Sequence, residues 1–209
     1  MTEKDLFLTA RTPIGHSSWC ALNPEQPDTK YGSKWYVDLV VPKNEETKEF
    51  VSVAEGLLAK TRKHFGEDKP VVALPIKEHF DADGNKTDNL VIKVKLKAEG
   101  TNMQGKNYTN TLKLIGADLK PFIPTGKIGM GTKLQVISYM SGYSGRDGVG
   151  VTFKIKSAQI IDVKYYGGGD ADASDYEVQE GNATTDDSIT DTTTDVKPTE
   201  SVSSFDFAD

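Results

Sequence analysis

The sequence predicts a mainly β protein: a small, largely antiparallel barrel of five or six short strands, with one inserted α-helix and an acidic C-terminal extension. Three observations carry this reading. Short segments alternate apolar and polar residues with period two, as half-buried strands do. One segment, and only one, has apolar residues at helical spacing. Clusters of Gly, Asn, Asp and Pro separate the pieces at the short intervals expected of a small barrel.

The first clear strand is "KWYVDLVV". It sets Trp35, Val37, Leu39 and Val41 on one face and Lys34, Tyr36 and Asp38 on the other. After Pro42, "NEETKEFVSVAEGLLAKTRKHFG" spaces Phe50, Val53, Leu57, Leu58 and Phe65 as a helix would. Asn44 is the expected N-cap, Glu45 and Glu46 suit the positive helix start, and Arg62, Lys63 and Gly66 mark the end. Such a helix is long enough to cover one open end of a small barrel. "NLVIKVKLKAEG" alternates Ile92, Val94 and Leu96 with Lys93, Lys95 and Lys97, and "NTLKLIG" is a shorter strand. "KLQVISYM" is β-branched and aromatic without cleanly divided faces. "VGVTFKIKSAQIIDVKYY" alternates Val151, Phe153 and Ile155 with Thr152, Lys154 and Lys156, then runs on as a longer apolar strand.

Composition divides the chain at the triple glycine Gly167–Gly169. Residues 1–169 hold 24 Lys and Arg against 19 Asp and Glu, whereas residues 170–209 hold one Lys against 12 acids. The overall charge of −6 therefore joins a basic body at +5 to a tail at −11. Beyond the glycines apolar residues are too sparse to offset the entropy of ordering the chain, so 1–169 reads as one folded domain and 170–209 as a disordered acidic tail.

Several function classes are set aside. His16, His64 and His79 are scattered and Cys20 is the single cysteine, so no zinc site and no internal disulfide is expected; a reducing compartment fits. "DADGNKTDNLVI" resembles a calcium loop only in part: its sixth residue is Lys86, not Gly, and its twelfth is Ile92, not Glu. A hairpin turn is the better reading. "PTGKIGMGTK" lacks the order of a phosphate-binding loop. The acid-containing N-terminus does not read as a signal peptide, and no apolar run is long enough to span a bilayer. No pair of carboxylates stands out as acid and base, so neither an enzyme nor a cofactor is expected.

What remains is lysine interleaved with aromatic residues. Lys93, Lys95 and Lys97 share one strand face at about 7 Å intervals, near the phosphate spacing of an extended single strand. Lys154 and Lys156 repeat the arrangement. Lys34 and Tyr36 open a strand, Lys106 and Tyr108 sit in or beside a turn, and Tyr143 and Arg146 lie in "SGYSGRDG", read as a Gly/Ser-rich loop that leaves the Tyr143 ring poorly covered. Cations meet phosphates, and exposed rings stack on bases of any identity. Trp35 shares the face of Val37 and Leu39 and belongs to the core. Lysines opposite an apolar strand face are also the ordinary solvated side of a sheet.

In "GSKWYVDLVVP" followed by a helix, "IKVKLKAEG…GKNYTNTLKLIGADLKPF", "GMGTKLQVISYMSGYSGRDGVGVTFKIKSAQIIDVKYYGGGD" and the acidic tail with terminal aromatics, the chain resembles the single-stranded DNA-binding proteins of T-seven-like, short-tailed bacteriophages. The likeness is graded but runs over nearly the whole chain. It implies an oligonucleotide-binding (OB) fold, single-strand binding without marked sequence preference, and a role in phage DNA replication, recombination and repair in the cytoplasm of the infected host. It also implies a tail that contacts the phage DNA polymerase and helicase–primase, shields the binding cleft and supports a homodimer. A loop tyrosine of the family corresponds to Tyr143. Where the family's best-known member has a Trp shortly afterwards, Ser144–Gly145 stand here, which shifts the expected stacking onto Tyr143 and Tyr108.

The chain closes on "SSFDFAD". Phe205 and Phe207 suit an apolar pocket while Asp206 and Asp209 meet basic residues on its rim, a short contact motif for a partner protein. The best-known tail of the family ends in Phe itself; here Ala208 and Asp209 follow. The residues leave two other readings open: an RNA-binding or annealing module on the same barrel, and an adaptor whose tail is the working part.

Overall fold

Alternating segments close into a ring because each has one face that must leave water. The computed structural model of the chain describes residues 3–30, 32–102 and 104–166. The acidic segment 170–209, with Phe205, Asp206, Phe207 and Asp209, lies outside the described residues. A 3₁₀ turn at Glu3–Leu6 leads into β1 (Phe7–Arg11), β2 (Gly15–Ala21) and β3 (Lys34–Pro42). Helix α1 (Glu45–Phe65) follows, then β4 (Ile76–Phe80), β5 (Lys86–Lys97), β6 (Glu99–Thr101), β7 (Asn107–Thr109), β8 (Leu114–Ile115), β9 (Lys133–Gly145) and β10 (Gly148–Asp162).

Five strands form the closed barrel, in the order β9-β2-β3-β5-β10, with β10 pairing back onto β9. Three further strands extend its edges: β1 on β9, β4 on β5 and β8 on β10, while β6 and β7 make a separate hairpin. The expected OB-type barrel with one helix is therefore present. Alternation predicts the interior well: Val37, Leu39, Val41, Ile92, Val94, Val151, Phe153 and Ile155 are buried, and so is Trp35, whose Nε1 donates to the Asn23 carbonyl at 2.7 Å. Leu134, Val136 and Met140 of "KLQVISYM", whose faces the sequence does not divide cleanly, are buried as well.

Four strands have no counterpart among the expected ones: β1, β2, β4 and the three-residue β7. Strand β1 is short and half-exposed, β4 lies on an edge, and β2 ("GHSSWCA") has small residues at five of its seven positions and a bulge between Ser17 and Trp19 that breaks its alternation. "NTLKLIG" contracts to Leu114–Ile115, paired in parallel with Ala158 and Gln159 of β10. "DADGN" is the expected hairpin turn: Asp81 Oδ1 accepts from the backbone N–H of Asp83 and Asn85 at 3.0 and 2.8 Å, and Gly84 takes φ +82°. Those backbone donors, the Asn85 amide first, hold the Asp81 carboxyl below its ordinary pKa.

Helix α1 starts and stops where its caps require. Asn44 Oδ1 accepts from Thr47 N–H at 2.9 Å, and the Gly66 N–H closes on the Arg62 carbonyl at 2.9 Å with φ +119°. Its buried stripe is Thr47, Phe50, Ala54, Leu57 and Thr61; Leu58 packs at the margin and Val53, expected inside, is exposed. The stripe packs against β9 and β10, with the Phe50 and Phe153 rings edge-to-face at 5.6 Å. The helix comes close enough at Gly142 that an added Cβ there would lie 2.0 Å from Thr61 Oγ1. Among the described residues no helix is long and apolar enough to cross a membrane.

Gly142→Ala must therefore push α1 off β9, and overpacking of this kind lowers stability by roughly 1–3 kcal/mol. Thermal or urea unfolding should register that loss, and combining it with Thr61→Ala should give less than the sum of the two single effects.

Candidate nucleic-acid interface

The outer faces of β3, β5 and β10 bring basic residues together in register. Across β3 and β5, Lys34 faces Lys97, Tyr36 faces Lys95, and Asp38 faces Lys93. Across β5 and β10, Lys95 faces Lys154. Only one of these pairings is an opposite-charge pair: Lys93 Nζ is bound to the Asp38 carboxylate. Like charges set opposite each other on one sheet face are destabilising. Lys95, with Tyr36 on one side and Lys154 on the other, sits in a field that an anion would relieve.

Beside this face lies a cleft of about 610 Å³. Of the sequence-predicted residues, Lys34, Tyr36, Lys93, Lys95 and Tyr143 line it. Lys97 and Lys154 flank it through their register partners. Lys156 lies further along β10, Arg146 is in the exposed β9–β10 turn beside Asp147, and Lys106 and Tyr108 belong to the β6–β7 region outside the lining.

Sequence reasoning missed Trp19, Lys30, Asp28 and Pro75, which also line the cleft. Trp19 is the most informative omission. In a regular strand it would share the side of buried Ser17; the bulge between them turns the indole outward, leaving it 58% exposed. Trp19 Nε1 donates to Tyr36 Oη at 2.9 Å, so the two rings form one braced aromatic partition. Burial pushes the Tyr36 phenol above its ordinary pKa; the Trp19 hydrogen bond opposes that shift and the Asp28 carboxylate adds to it. Lys34 Nζ lies 5.7 Å from the Tyr36 ring centroid, a cation over the same partition.

Tyr143 is in strand β9, not in a loop as its Gly and Ser neighbours suggest, because "SGYSG" pairs residue for residue with the start of β10. Its cross-strand partner is Gly150, and a Cβ there would meet the Tyr143 hydroxyl at 2.7 Å. The ring thus lies over the glycine with its other side exposed. Tyr108 repeats the device on the β6–β7 hairpin, lying over its partner Gly100, where a Cβ would come within 2.6 Å of the hydroxyl. A ring braced on one side and open on the other loses little freedom when a flat ligand stacks on it. Lys69, another residue not anticipated, donates to Ser144 Oγ at 3.0 Å, beside Tyr143 in the chain.

Neither a family model nor a curated protein sequence matches the chain. Solved structures do. The crystal structure of gp2.5, a single-stranded DNA-binding protein encoded by bacteriophage T7, superposes with a TM-score of 0.60 at 19% identity, covering 86% of this chain and 100% of that one. The single-stranded DNA-binding protein of bacteriophage Enc34 superposes at 0.53 with 15% identity, covering 80% and 88%. Its complex with single-stranded DNA also superposes at 0.53, with 13% identity over 77% and 89%. The fold is the one found in these phage single-stranded DNA-binding proteins, in agreement with the resemblance read from the sequence. Among the described residues, no group of three or more His, Cys, Asp or Glu is arranged to hold a metal ion.

Because the Tyr36 phenol is held above its ordinary value near 10, folding favours its protonated form. Its contribution to stability is present below that value and is lost as pH rises through the elevated folded pKa. Alkaline unfolding curves should show a smaller loss of stability above pH 10 in Tyr36→Phe than in the parent chain.

Proposed function

We propose that this protein binds single-stranded DNA in the cleft between Tyr36 and Tyr143, without marked sequence preference, and acts by binding rather than by catalysis. The observation that carries the reading is the cleft with its rim: Lys34 and Lys95 in the lining face Lys97 and Lys154 at its edge, beside the braced, partly exposed rings of Trp19, Tyr36 and Tyr143. Phosphates would relieve the lysine field and bases would stack on the rings, releasing counterions as they bind. The shared fold with phage proteins that bind single-stranded DNA supports this choice of ligand.

The wider role proposed is phage DNA replication, recombination and repair in the cytoplasm of the infected host. In it the acidic segment 170–209 competes with weakly bound strands for the cleft, and the terminal Phe205, Asp206, Phe207 and Asp209 recruit the phage DNA polymerase and helicase–primase. Formation of a homodimer belongs to the same proposal. What supports these roles is the charge contrast between the two parts of the chain and the sequence resemblance.

Titration of a labelled oligothymidylate at several salt concentrations tests the reading. Log affinity should fall with log salt at a slope near −0.7 for each phosphate contacted. Tyr143→Ala should weaken binding by roughly 1–3 kcal/mol, and no loss would remove that ring from the site. Lys95→Ala and Lys97→Ala should flatten the slope more than Lys93→Ala, because Lys93 is already partnered by Asp38. RNA and duplex competitors should bind more weakly than the single DNA strand. In a separate measurement, deleting residues 170–209 should tighten binding; absence of affinity in the shortened chain would move the function into the tail.

A further inference from the structure

A second depression, of about 450 Å³, opens on the other side of the Trp19–Tyr36 partition. It shares Trp19, Asp28, Lys30 and Tyr36 with the first cleft, so the two form one track divided by the partition. Its far wall comes from distant segments of the chain: Lys127 and Met130 from the approach to β9, and Tyr166 from beyond β10. Tyr166 is 64% exposed, and Lys127 Nζ lies 5.1 Å from its ring centroid.

This wall is fixed in place. The Tyr166 N–H donates to the Lys127 carbonyl at 2.6 Å, and the Gly129 N–H donates to the Lys164 carbonyl at 2.7 Å. A Cβ at Gly129 would press on the Tyr166 backbone at 3.1 Å, so the two segments lie as close as glycine allows. Ser17 Oγ then ties the Gly129 carbonyl to β2 at 2.8 Å. The result is an exposed ring beside a cation on rigid backbone, the same combination that lines the first cleft.

We infer that the second depression is a further nucleotide subsite, taking the continuation of a strand already seated in the first cleft. One base stacks on Tyr166, and Lys127 and Lys30 meet the phosphates on either side of it. The inference rests on the proposed single-strand reading of the first cleft. A polynucleotide is the fitting occupant because the track is continuous across the partition, with a lysine and an aromatic ring on both sides. An isolated nucleotide would use only one of its two halves.

The test is an affinity series with oligothymidylates of about 2 to about 16 nucleotides, measured on the full chain, on Tyr166→Ala and on Lys127→Gln. In the parent chain, affinity should keep rising after the first cleft is filled. Both variants should lose that later rise, by roughly 5- to 100-fold on the longer oligomers, while binding the shortest ones as the parent does. Tyr166→Phe, which keeps the ring, should retain it. Equal loss at every length would make Tyr166 a structural support, and no loss at any length would empty the subsite; either result overturns the inference while the first cleft stands. Failure of the parent chain to bind oligomers of any length would overturn the first cleft as well.

Discussion

The ladder between β9 and β10 closes the barrel and also shapes the surface around its cleft. Without it the sheet would have two open edges, and the buried faces of β3 and β5 would lack an opposite wall. The same ladder runs to the strand ends, where it sets Tyr143 over Gly150 and brings Gly142 under the helix at Thr61. Barrel closure, helix docking and the pose of one candidate stacking ring therefore all depend on one ladder, whose register over Ser141–Gly145 and Gly148–Thr152 is unbroken. A slip of one residue would turn Tyr143 inward and set Gly142 out, removing all three together.

Electrostatics on the outer face follows the opposite logic to packing in the interior. Inside, apolar side chains of β3, β5 and β10 meet apolar partners, with Phe153 edge-to-face on Phe50 and Val37 and Val94 buried. Outside, around the cleft, the Lys93–Asp38 pair sits beside lysines that face lysines, Lys34 opposite Lys97 and Lys95 opposite Lys154. A surface selected for stability alone would alternate its signs. Holding Lys95 between Tyr36 and Lys154 leaves part of the electrostatic stabilisation to whatever anion arrives.

Much of this was legible in the residues. β3 announces itself because its burial alternates throughout, β5 and β10 because their apolar and lysine residues alternate over part of their length, and the helix caps Asn44 and Gly66 fall where local chemistry puts them. Lys34, Tyr36, Lys93 and Lys95 could be found because the outer face of a regular strand is simply the complement of its inner face. Trp19 could not, because an extra residue at the Ser17–Trp19 bulge inverts the alternation and its neighbours are too small to mark a strand. Tyr143 was visible as a residue but not as a strand residue: glycine and serine are poor strand formers until a partner strand and a helix require small side chains at those points. Lys30, Lys127 and Tyr166 come together only through the tertiary fold, and no local pattern records that.

The tyrosine-over-glycine pairs have a consequence for how this surface can change over time. Tyr143 with Gly150, and Tyr108 with Gly100, are each a large ring filling the space that its partner's missing side chain leaves. Neither member of a pair can drift alone: a side chain on the glycine displaces the ring, and loss of the ring bares the backbone of the glycine. Related barrels should therefore vary at 143 and 150 jointly, and at 100 and 108 jointly, whereas the neighbouring lysines are free to migrate one position at a time as long as the field they make is kept.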